Sequence, residues 1–363
     1  MNGKIEHKKN KSKYIRLYEK IRTDIVNGEY KRGDKLPSKR TVAQENDISV
    51  ISVEHAYGLL CDEGYVESRE RSGFFVTFSA NDGFMAGESD SDIGFDTVAE
   101  KSDRPVFPFS VLTKTMRRVI NDYGESILEK TPSTGSERLR GALSRYLARN
   151  RGIHVSSSQI VVGSGAEYLY GLIVGLLGNL RVYAVEDPSY EKIEKVYKAS
   201  GIRCEHLPLG KNGIKSSALS STNADVLHVS PYRSFPTGVT ANASKRHEYI
   251  RWANKKKDRF IIEDDFESEF SVSSKPEETL FALGSDNVIY MNTFSLTVSP
   301  SLRVGYMVLP QKLLKDFDEK LGFYSCTVPT FEQFVLAELI ISGDFERHVN
   351  SVRRQKRAEQ KKQ

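Results

Sequence analysis

Five short segments between residues 163 and 306 contain the residues best suited to bind a ligand or hold a proton. A glycine-rich turn that opens a helix presents backbone N–H groups to an anion, and the helix dipole adds positive potential there. An arginine can hold an anion through its planar, charged fork, whereas a carboxylate accepts strong hydrogen bonds from charged donors. Taken singly, each segment can equally be a turn or a helix start. The segments are GSGAEY (163–168), VEDPSY (185–190), SPYRSFPTG (230–238), IIEDDFESEF (261–270) and NTFSLTVSPSLRVGY (292–306).

Strand and helix patterns alternate around these segments, which predicts an α/β fold with a mostly parallel sheet covered by helices on both faces. Ligands in such sheets bind at the carboxyl ends of the strands, where the five segments lie. The periodicity predicts helices over residues 112–123, 137–149, 166–177, 190–199 and 244–255. It predicts strands over residues 159–162, 181–185, 226–229, 259–263, 288–290 and 303–308.

The N-terminal part of the chain has a different pattern. Apolar residues recur at three- and four-residue steps over 14–28, which predicts a first helix. Ser38 can cap a second, short helix, and either Asp47 or Ser49 can cap a third. Alternation over 65–77, interrupted by a polar turn, predicts a β-hairpin. These elements in this order predict a winged helix-turn-helix, whose second short helix can enter the major groove of DNA.

Three N-terminal motifs carry a family resemblance: GDKLPSKR (33–40), DISVISVEHAYGLL (47–60) and EGYVESRERSGFFV (63–76). In this order and spacing they resemble the DNA-binding domain of the GntR family. The resemblance implies that Ser38 and Arg40 face phosphates or base edges at the start of the first short helix. It also implies that Ser49 and Ser52 begin the recognition helix. The wing would be formed by Arg69, Arg71 and Gly73.

One position departs from that family. Where an arginine commonly follows the serine of the recognition helix, this chain has Val50. A bidentate arginine–guanine contact gives roughly 1–3 kcal/mol of discrimination, so the operator differs or specific binding is weaker. A solvated basic face is the simpler explanation for a charge run alone, since residues 1–40 hold 13 Lys or Arg against 5 Asp or Glu. The winged-helix pattern favours DNA binding over that explanation.

The five chemical segments together resemble the large domain of fold type I pyridoxal-phosphate aminotransferases. TGSERLRGALSRYLARNRGI (134–153) and SGDFERH (342–348) extend this resemblance. A winged helix before such a domain is typical of the MocR group of GntR regulators, which sense an aldehyde cofactor or an amino compound. The resemblance implies a homodimer whose two winged helices bind two half-sites of double-stranded DNA. We therefore expect a DNA-binding domain at 1–78, a flexible linker at 79–94 and an aminotransferase-like effector domain at 95–363.

Carried over residue by residue, the resemblance implies a site for pyridoxal 5′-phosphate. Tyr190 would stack on the pyridine ring, and Asp264 would pair with the ring nitrogen and keep it protonated. Backbone N–H groups, a hydroxyl and a guanidinium would hold the phosphate. The residues implied for the phosphate are Gly165, Ala166, Ser295 and Arg303.

Two further positions depart from the aminotransferase motif, and they determine whether transamination is expected. Where the family has the lysine that links covalently to the cofactor, this chain reads Ser295, Leu296 and Thr297. The tyrosine expected two residues after Asp264 is Phe266, which removes a hydrogen bond of about 0.5–1.5 kcal/mol to the ring hydroxyl. Transamination needs the lysine amine as nucleophile and then as base. The sequence therefore predicts non-covalent cofactor binding only and a regulator without aminotransferase activity.

Three alternatives remain at this point: an aminotransferase with an accessory DNA-binding domain, a pocket that takes another ligand, and a decayed family member without function. Family members continue for roughly one more small domain, whereas this chain stops at Gln363. A shortened regulator, a frameshifted gene and a truncated chain all fit that length. The basic end RRQKRAEQKKQ (353–363) is interpreted as the charged surface of a helix rather than a nucleic-acid-binding tail.

The composition excludes several other classes of protein. The 363 residues are 39% hydrophobic and 28% charged, with a net charge of +5 and a mean hydropathy of −0.45. There is neither an uninterrupted apolar run of about 18 residues nor a signal-peptide pattern, so we expect a cytoplasmic protein without a membrane partner. Three scattered cysteines without a CxxC pair predict neither a disulfide framework nor a metal site.

Overall fold

The computed structural model describes residues 12–78, 107–272, 278–284 and 286–360. The chain divides into two compact units, Met1–Glu100 and Lys101–Gln363. The predicted linker at 79–94 lies outside the described residues. The predicted domain boundaries therefore stay predictions. Among the described residues, every helix is too short or too polar to cross a membrane.

The N-terminal unit contains helices α1 (Lys13–Val26), α2 (Lys39–Glu45) and α3 (Val50–Asp62), then strands β1 (Val66–Arg69) and β2 (Gly73–Val76). The two strands pair in antiparallel orientation. The side chain of Ser38 accepts a hydrogen bond from the backbone N–H of Thr41 and begins α2. Ser49, not the alternative Asp47, caps α3 in the same way through the N–H of Ser52. The core of this unit includes Leu17, Ile21, Val53, Tyr57 and Leu60.

The second unit is an α/β structure. Its helices are α4 (Phe109–Tyr123), α5 (Glu137–Arg151), α6 (Ala166–Leu177), α7 (Glu191–Ala199), α8 (Ser216–Ser221), α9 (Ala243–Asn254), α10 (Leu314–Leu321), α11 (Thr330–Ile341) and α12 (Asp344–Gln360). Its strands are β3 (Ile160–Gly163), β4 (Val182–Asp187), β5 (Arg203–Gly210), β6 (Gly213–Ile214), β7 (Val226–Val229), β8 (Phe260–Asp264), β9 (Val288–Thr293) and β10 (Gly305–Val308).

The strands form one sheet in the order β3-β10-β9-β8-β7-β4-β5-β6. The central strands β9, β8, β7, β4 and β5 are parallel to one another. At one side β10 runs antiparallel to both β3 and β9, and at the other β6 runs antiparallel to β5. The predicted α/β class with a largely parallel sheet is confirmed.

Both faces of the sheet are buried at its centre, as alternate residues of β9 show. Tyr290 belongs to a core cluster that includes residues of α5, α11 and α12. Its neighbours Ile289 and Met291 belong to a second cluster that includes residues of α6, α7 and α10. Strands buried on both faces read as continuous apolar runs, which is why the central strands were predictable from sequence.

The sequence prediction omitted one long strand and misplaced the start of another. The strand over 203–210 was missed because its residues are mostly half-buried or exposed and include Pro208, so they lack the apolar run of the central strands. The strand predicted over 303–308 begins two residues later, at Gly305. Arg303 cannot start it because it adopts a left-handed conformation with φ 48° after a 3₁₀ turn at Pro300–Leu302.

Candidate functional site

The start of α3 forms an exposed surface in the N-terminal unit. The hydroxyl of Ser49 lies 2.9 Å from that of Ser52 and accepts the Ser52 N–H at 3.1 Å, so both predicted residues fix the first turn of the helix. Between them, the side chains of Val50 and Ile51 are 43% and 65% exposed. The first turn of α3 therefore offers aliphatic groups where the family resemblance implies an arginine.

The start of α2 is built in the same way. The hydroxyl of Ser38 lies 2.7 Å from that of Thr41, and Arg40 is exposed in the first turn. Lys39 extends from this turn to α3, where its Nζ lies 2.7 Å from the carboxylate of Glu54. The predicted polar residues of α2 and α3 thus lie at the starts of two helices that pack together in one unit.

The wing contains the other predicted DNA-binding residues. Arg71 at the hairpin turn is exposed and has φ 58°, and Gly73 has φ 108°. Arg69 donates to Glu67 at 2.6 Å and its guanidinium lies 4.4 Å from the ring centre of Phe75. Arg71 is therefore presented to solvent, whereas Arg69 is held along the hairpin.

The second group of predicted residues surrounds the turn between β3 and α6. Gly165 has φ 86°, and a β-carbon there would lie 3.1 Å from the Arg303 guanidinium, so this position needs glycine. The Gly165 N–H donates to the carbonyl of Gly163 at 2.8 Å, which differs from its predicted donation to a phosphate. Ala166 begins α6 as expected. The hydroxyl of Ser295 lies 2.8 Å from that of Thr293 at the end of β9.

The guanidinium of Arg303 already has an anionic partner. It is ion-paired with Glu167 in the first turn of α6, and Glu167 also lies 3.3 Å from the Nζ of Lys192. Burial raises the pKa of Glu167, but hydrogen bonds from Arg303 and Lys192 outweigh burial and the pKa is lowered. Lys192 Nζ in turn lies 5.9 Å from the ring centre of Tyr190. Sequence reasoning missed Glu167, although an acid after a glycine-rich helix start was a readable signal.

Asp264, the last residue of β8, lies in a buried polar network. Its carboxylate accepts a 2.5 Å hydrogen bond from the hydroxyl of Tyr170 and lies 3.4 Å from Nε2 of His228. The other ring nitrogen of His228 lies 2.6 Å from the hydroxyl of Tyr197. Burial and the charge of Asp264 raise the pKa of Tyr170 well above its usual value, so this tyrosine stays protonated and donates.

The other three members of this network, Tyr170, His228 and Tyr197, were not predicted. His228 is a polar residue inside the otherwise apolar strand β7, which was a detectable sequence signal. Tyr170 and Tyr197 read as ordinary core residues of α6 and α7. Only the fold brings them to the end of β8.

Two aromatic side chains and one aliphatic side chain complete this region. Tyr190 is 38% exposed, and its ring packs edge-on against Phe235 with 5.9 Å between the ring centres. Phe266 is half-buried and has no hydroxyl to donate. Leu296 is half-buried and packs against the core cluster on the Tyr290 side of the sheet. An aromatic surface, a carboxylate and a guanidinium are therefore present, without an amine at residue 296.

A buried carboxylate supports the loop that carries Phe235. Glu186 on β4 accepts hydrogen bonds from the backbone N–H of Ser230 at 3.1 Å and from the hydroxyl of Ser234 at 2.6 Å. Burial raises the pKa of Glu186 to about 7, and the nearby charge of Asp264 adds to the rise. The carboxyl ends of β4, β7 and β8 are thus connected by polar side chains.

Comparison with known proteins supports both halves of this description. Residues 13–76 match the family described as "Bacterial regulatory proteins, gntR family". The chain is 32% identical over 360 residues to the uncharacterized HTH-type transcriptional regulator YdeL of Bacillus subtilis, covering 95% of this chain and 77% of that protein. It is 27% identical to the probable rhizopine catabolism regulatory protein MocR of Rhizobium meliloti, covering 93% of this chain and 73% of that protein.

A solved structure matches the second unit. The kynurenine aminotransferase of Pyrococcus horikoshii superposes with a TM-score of 0.61 at 25% sequence identity, over 70% of this chain and 66% of that protein. The chain therefore spans about three quarters of the regulators and about two thirds of the aminotransferase. A regulator-type winged helix thus precedes an aminotransferase-like fold.

Proposed function

Because this chain belongs to the MocR-type group of GntR-family transcription regulators, we propose that its winged helix binds operator DNA and that its aminotransferase-like unit binds a ligand without catalysing transamination. The observation that carries the second part is Leu296. Where the resemblance implies the reactive lysine, this chain has an aliphatic side chain packed against the core. An alkyl group can neither attack an aldehyde nor accept a proton.

The DNA contact is proposed for the surface formed by the starts of α2 and α3 together with the wing. Ser38, Arg40, Ser49 and Ser52 lie in the first turns or caps of these helices. Exposed cations such as Arg40 and Arg71 attract phosphates and orient the protein on the duplex. As in other helix-turn-helix proteins, a homodimer would place two such surfaces on two half-sites. This role also implies a location where DNA is present, the bacterial cytoplasm.

The described residues fit pyridoxal phosphate as a non-covalent ligand. Asp264, held as an acceptor by Tyr170, would keep a proton on the ring nitrogen, and Tyr190 would cover one ring face. Arg303 would exchange Glu167 for a phosphate oxygen. When bound, the cofactor supplies an aldehyde and an electron-withdrawing ring. The chain offers no amine for that aldehyde at residue 296.

Covalent trapping tests the ligand part. Purified protein is mixed with pyridoxal phosphate and reduced with borohydride, and the masses of the chain and its peptides are measured by mass spectrometry. We expect no site-specific label in the wild-type chain or in Leu296→Met, the matched control of similar length. Leu296→Lys should carry one cofactor per chain on the peptide that contains residue 296.

Two outcomes of this experiment would contradict the proposal in different ways. A wild-type chain with reduced cofactor fixed in the pocket would indicate the enzyme alternative. A Leu296→Lys chain that folds but stays unlabelled would show that the pocket takes another ligand or none.

Gel shifts with the protein's own upstream DNA test the first part. Binding should weaken as salt rises because phosphate contacts release counterions, and Arg40→Ala should reduce both the affinity and the salt slope, the latter by about 1. Arg203→Ala, an exposed change in the second unit, is the matched control. An unchanged slope for Arg40→Ala would remove Arg40 from the DNA-binding surface.

A further inference from the structure

Two adjacent aliphatic side chains are exposed to solvent at the start of the recognition helix, α3. Val50 is 43% exposed and Ile51 is 65% exposed, whereas Val53, two residues further along α3, is completely buried. Among the described residues of the N-terminal unit, no other large hydrophobic side chain is as exposed as these two. The core of the unit is complete without them, since Val53, Ala56, Tyr57 and Leu60 supply the inner face of α3.

The local structure does not require these residue types. The helix start is fixed by the hydroxyls of Ser49 and Ser52, and β-branched residues are weaker helix formers than most alternatives. Polar side chains at residues 50 and 51 would therefore be at least as compatible with a solvated first turn. Neither side chain has a protein partner in the core cluster of this unit.

The electrostatic surroundings suit a polyanion. Glu54, one turn after Val50, would repel phosphates, but its carboxylate is paired with Lys39 at 2.7 Å. Hydrogen bonding to Lys39 lowers the pKa of Glu54. The exposed Arg40 lies in the same turn of α2 as Lys39. The apolar pair therefore lies at the N-terminal end of the helix that a winged helix inserts into DNA, and the acid one turn later is neutralised by Lys39.

The chemistry of the major groove identifies the partner. Guanine, cytosine and adenine present hydrogen-bonding groups there, and only thymine adds an apolar group, its C5-methyl. Aliphatic side chains placed against guanine or cytosine would leave polar base edges without partners, which is unfavourable. We infer that Val50 and Ile51 form a thymine-methyl contact, so that each half-site carries thymines under the first turn of α3. This inference rests on the proposed DNA binding and names the bases that such binding selects.

Removing single methyl groups from DNA tests the contact. Duplexes that bind the full chain are first selected from a randomised pool, and each thymine of the best duplex is then replaced by deoxyuridine. Deoxyuridine keeps every hydrogen-bonding group and lacks only the C5-methyl. We expect one or two positions per half-site at which the replacement weakens binding, by roughly fourfold for each methyl group.

Protein variants locate the contact. Val50→Ala and Ile51→Ala should bind the thymine duplex more weakly than the wild type does. The difference in affinity between the thymine and the deoxyuridine duplex should shrink or vanish in these variants. Arg40→Ala should weaken both duplexes by the same factor, because a phosphate contact does not distinguish them. Leu180→Ala removes a 98% exposed side chain of the second unit and should change the affinity for neither duplex.

The outcomes separate this inference from the proposed function. Selected duplexes that bind equally well with and without thymine methyl groups would overturn the inference and leave DNA binding intact. A pool that yields no bound duplex would overturn both. If the two alanine variants instead change the oligomeric state in sedimentation, with no effect on the thymine preference, the pair is a contact between copies of the chain and the inference is wrong.

Discussion

The two groups of predicted site residues differ in how the folded chain presents them. In the winged helix, Arg40 and Arg71 are exposed. In the second unit, the corresponding charged group, Arg303, is already ion-paired with Glu167. An exposed guanidinium can meet a phosphate without breaking a protein contact, whereas Arg303 must exchange one anion for another. In the function proposed above, the winged helix therefore binds phosphates directly, whereas a phosphate ligand at Arg303 must first displace Glu167.

The buried network around Asp264 gives the largest expected effect. Asp264→Ala should lower the free energy of unfolding of the second unit by about 3 kcal/mol, because the buried hydroxyl of Tyr170 loses its acceptor and a cavity replaces the carboxylate beside the ring of His228. Denaturant unfolding followed by circular dichroism measures this. Tyr170→Phe, which removes one donor and keeps the ring, should cost only about 1 kcal/mol. Equal costs for the two variants would argue against Asp264 as the centre of the network.

The pH dependence of stability should come from the second unit. Burial raises the pKa of Glu186 to about 7 from its ordinary 4.5, so the folded chain keeps a proton that the unfolded chain has lost. The resulting stability is fully present below about pH 4.5 and is lost as the pH rises through about 7. For this group the loss should amount to about 2–3 kcal/mol between about pH 5 and about pH 8.

Replacing Glu186 by Gln should make the loss of stability with rising pH smaller by the contribution of Glu186, because an amide keeps an acceptor for Ser230 and Ser234 and does not ionise. Glu319→Gln, at an exposed position of α10, is the matched control and should leave the profile unchanged. If Glu186→Gln and the wild type lose stability in parallel as the pH rises, Glu186 is not the titrating group. Glu263, whose pKa burial also raises to about 7, would then be the next group to replace.

The pairing of Arg303 with Glu167 predicts a smaller effect, and here the substitution should strengthen ligand binding whereas the preceding ones weaken the fold. Glu167→Gln removes the competing negative charge, so the affinity for inorganic phosphate or pyridoxal phosphate should rise by about tenfold, or about 1.4 kcal/mol. Equilibrium dialysis or calorimetry at low salt measures this. Glu191→Gln on the neighbouring helix, where the acid pairs with Lys195, should have little effect. A lower affinity in Glu167→Gln would mean that Glu167 positions Arg303 for the ligand instead of competing with it.

The smallest effect is expected in the winged helix. Ser49→Ala removes the cap of α3 and should lower the free energy of unfolding of the N-terminal unit by about 1 kcal/mol. Ser52→Ala, which removes a hydroxyl but not the cap, should lower it by less. The fluorescence or circular dichroism of the N-terminal unit reports the change, and DNA affinity should fall in parallel for Ser49→Ala. A larger cost for Ser52→Ala would reverse the assigned roles of the two serines.

The sequence was most informative where structure is local. Ser38 caps α2 as predicted, and Ser49 is one of the two residues predicted as candidates for the cap of α3. Helix α6 begins and ends at the predicted residues, because caps and helical periodicity depend on neighbours within about four residues. The central strands were also recognisable from their apolar runs. The start of β10 was not, since the left-handed turn at Arg303 depends on tertiary contacts.

The contacts of the candidate ligand site were much less predictable. Gly165, Asp264 and Arg303 were proposed as site residues through resemblance, but the residues that they contact in the structure were not predicted. Glu167 is 136 residues from Arg303, and Tyr170 is 94 residues from Asp264. Such pairs are fixed by strand order and helix packing, which no local pattern contains. For the same reason, the exposure of Val50 became interpretable only once the core of α3 was known.

The reversed direction of β10 has a consequence for how the ligand site is assembled. Gly305, the first residue of β10, pairs with Gly163 at the end of β3 and with Thr293 at the end of β9. A residue that enters this strand therefore reaches the same rim as residues that leave the parallel strands. Arg303 arrives there in the connection of residues 294–304 between β9 and β10, which returns the chain to the edge that it has just left, whereas a crossover to another parallel strand must carry the chain back to the opposite edge. One inverted strand thus keeps the connection at the rim of the site and places its basic group two residues before the first residue of β10.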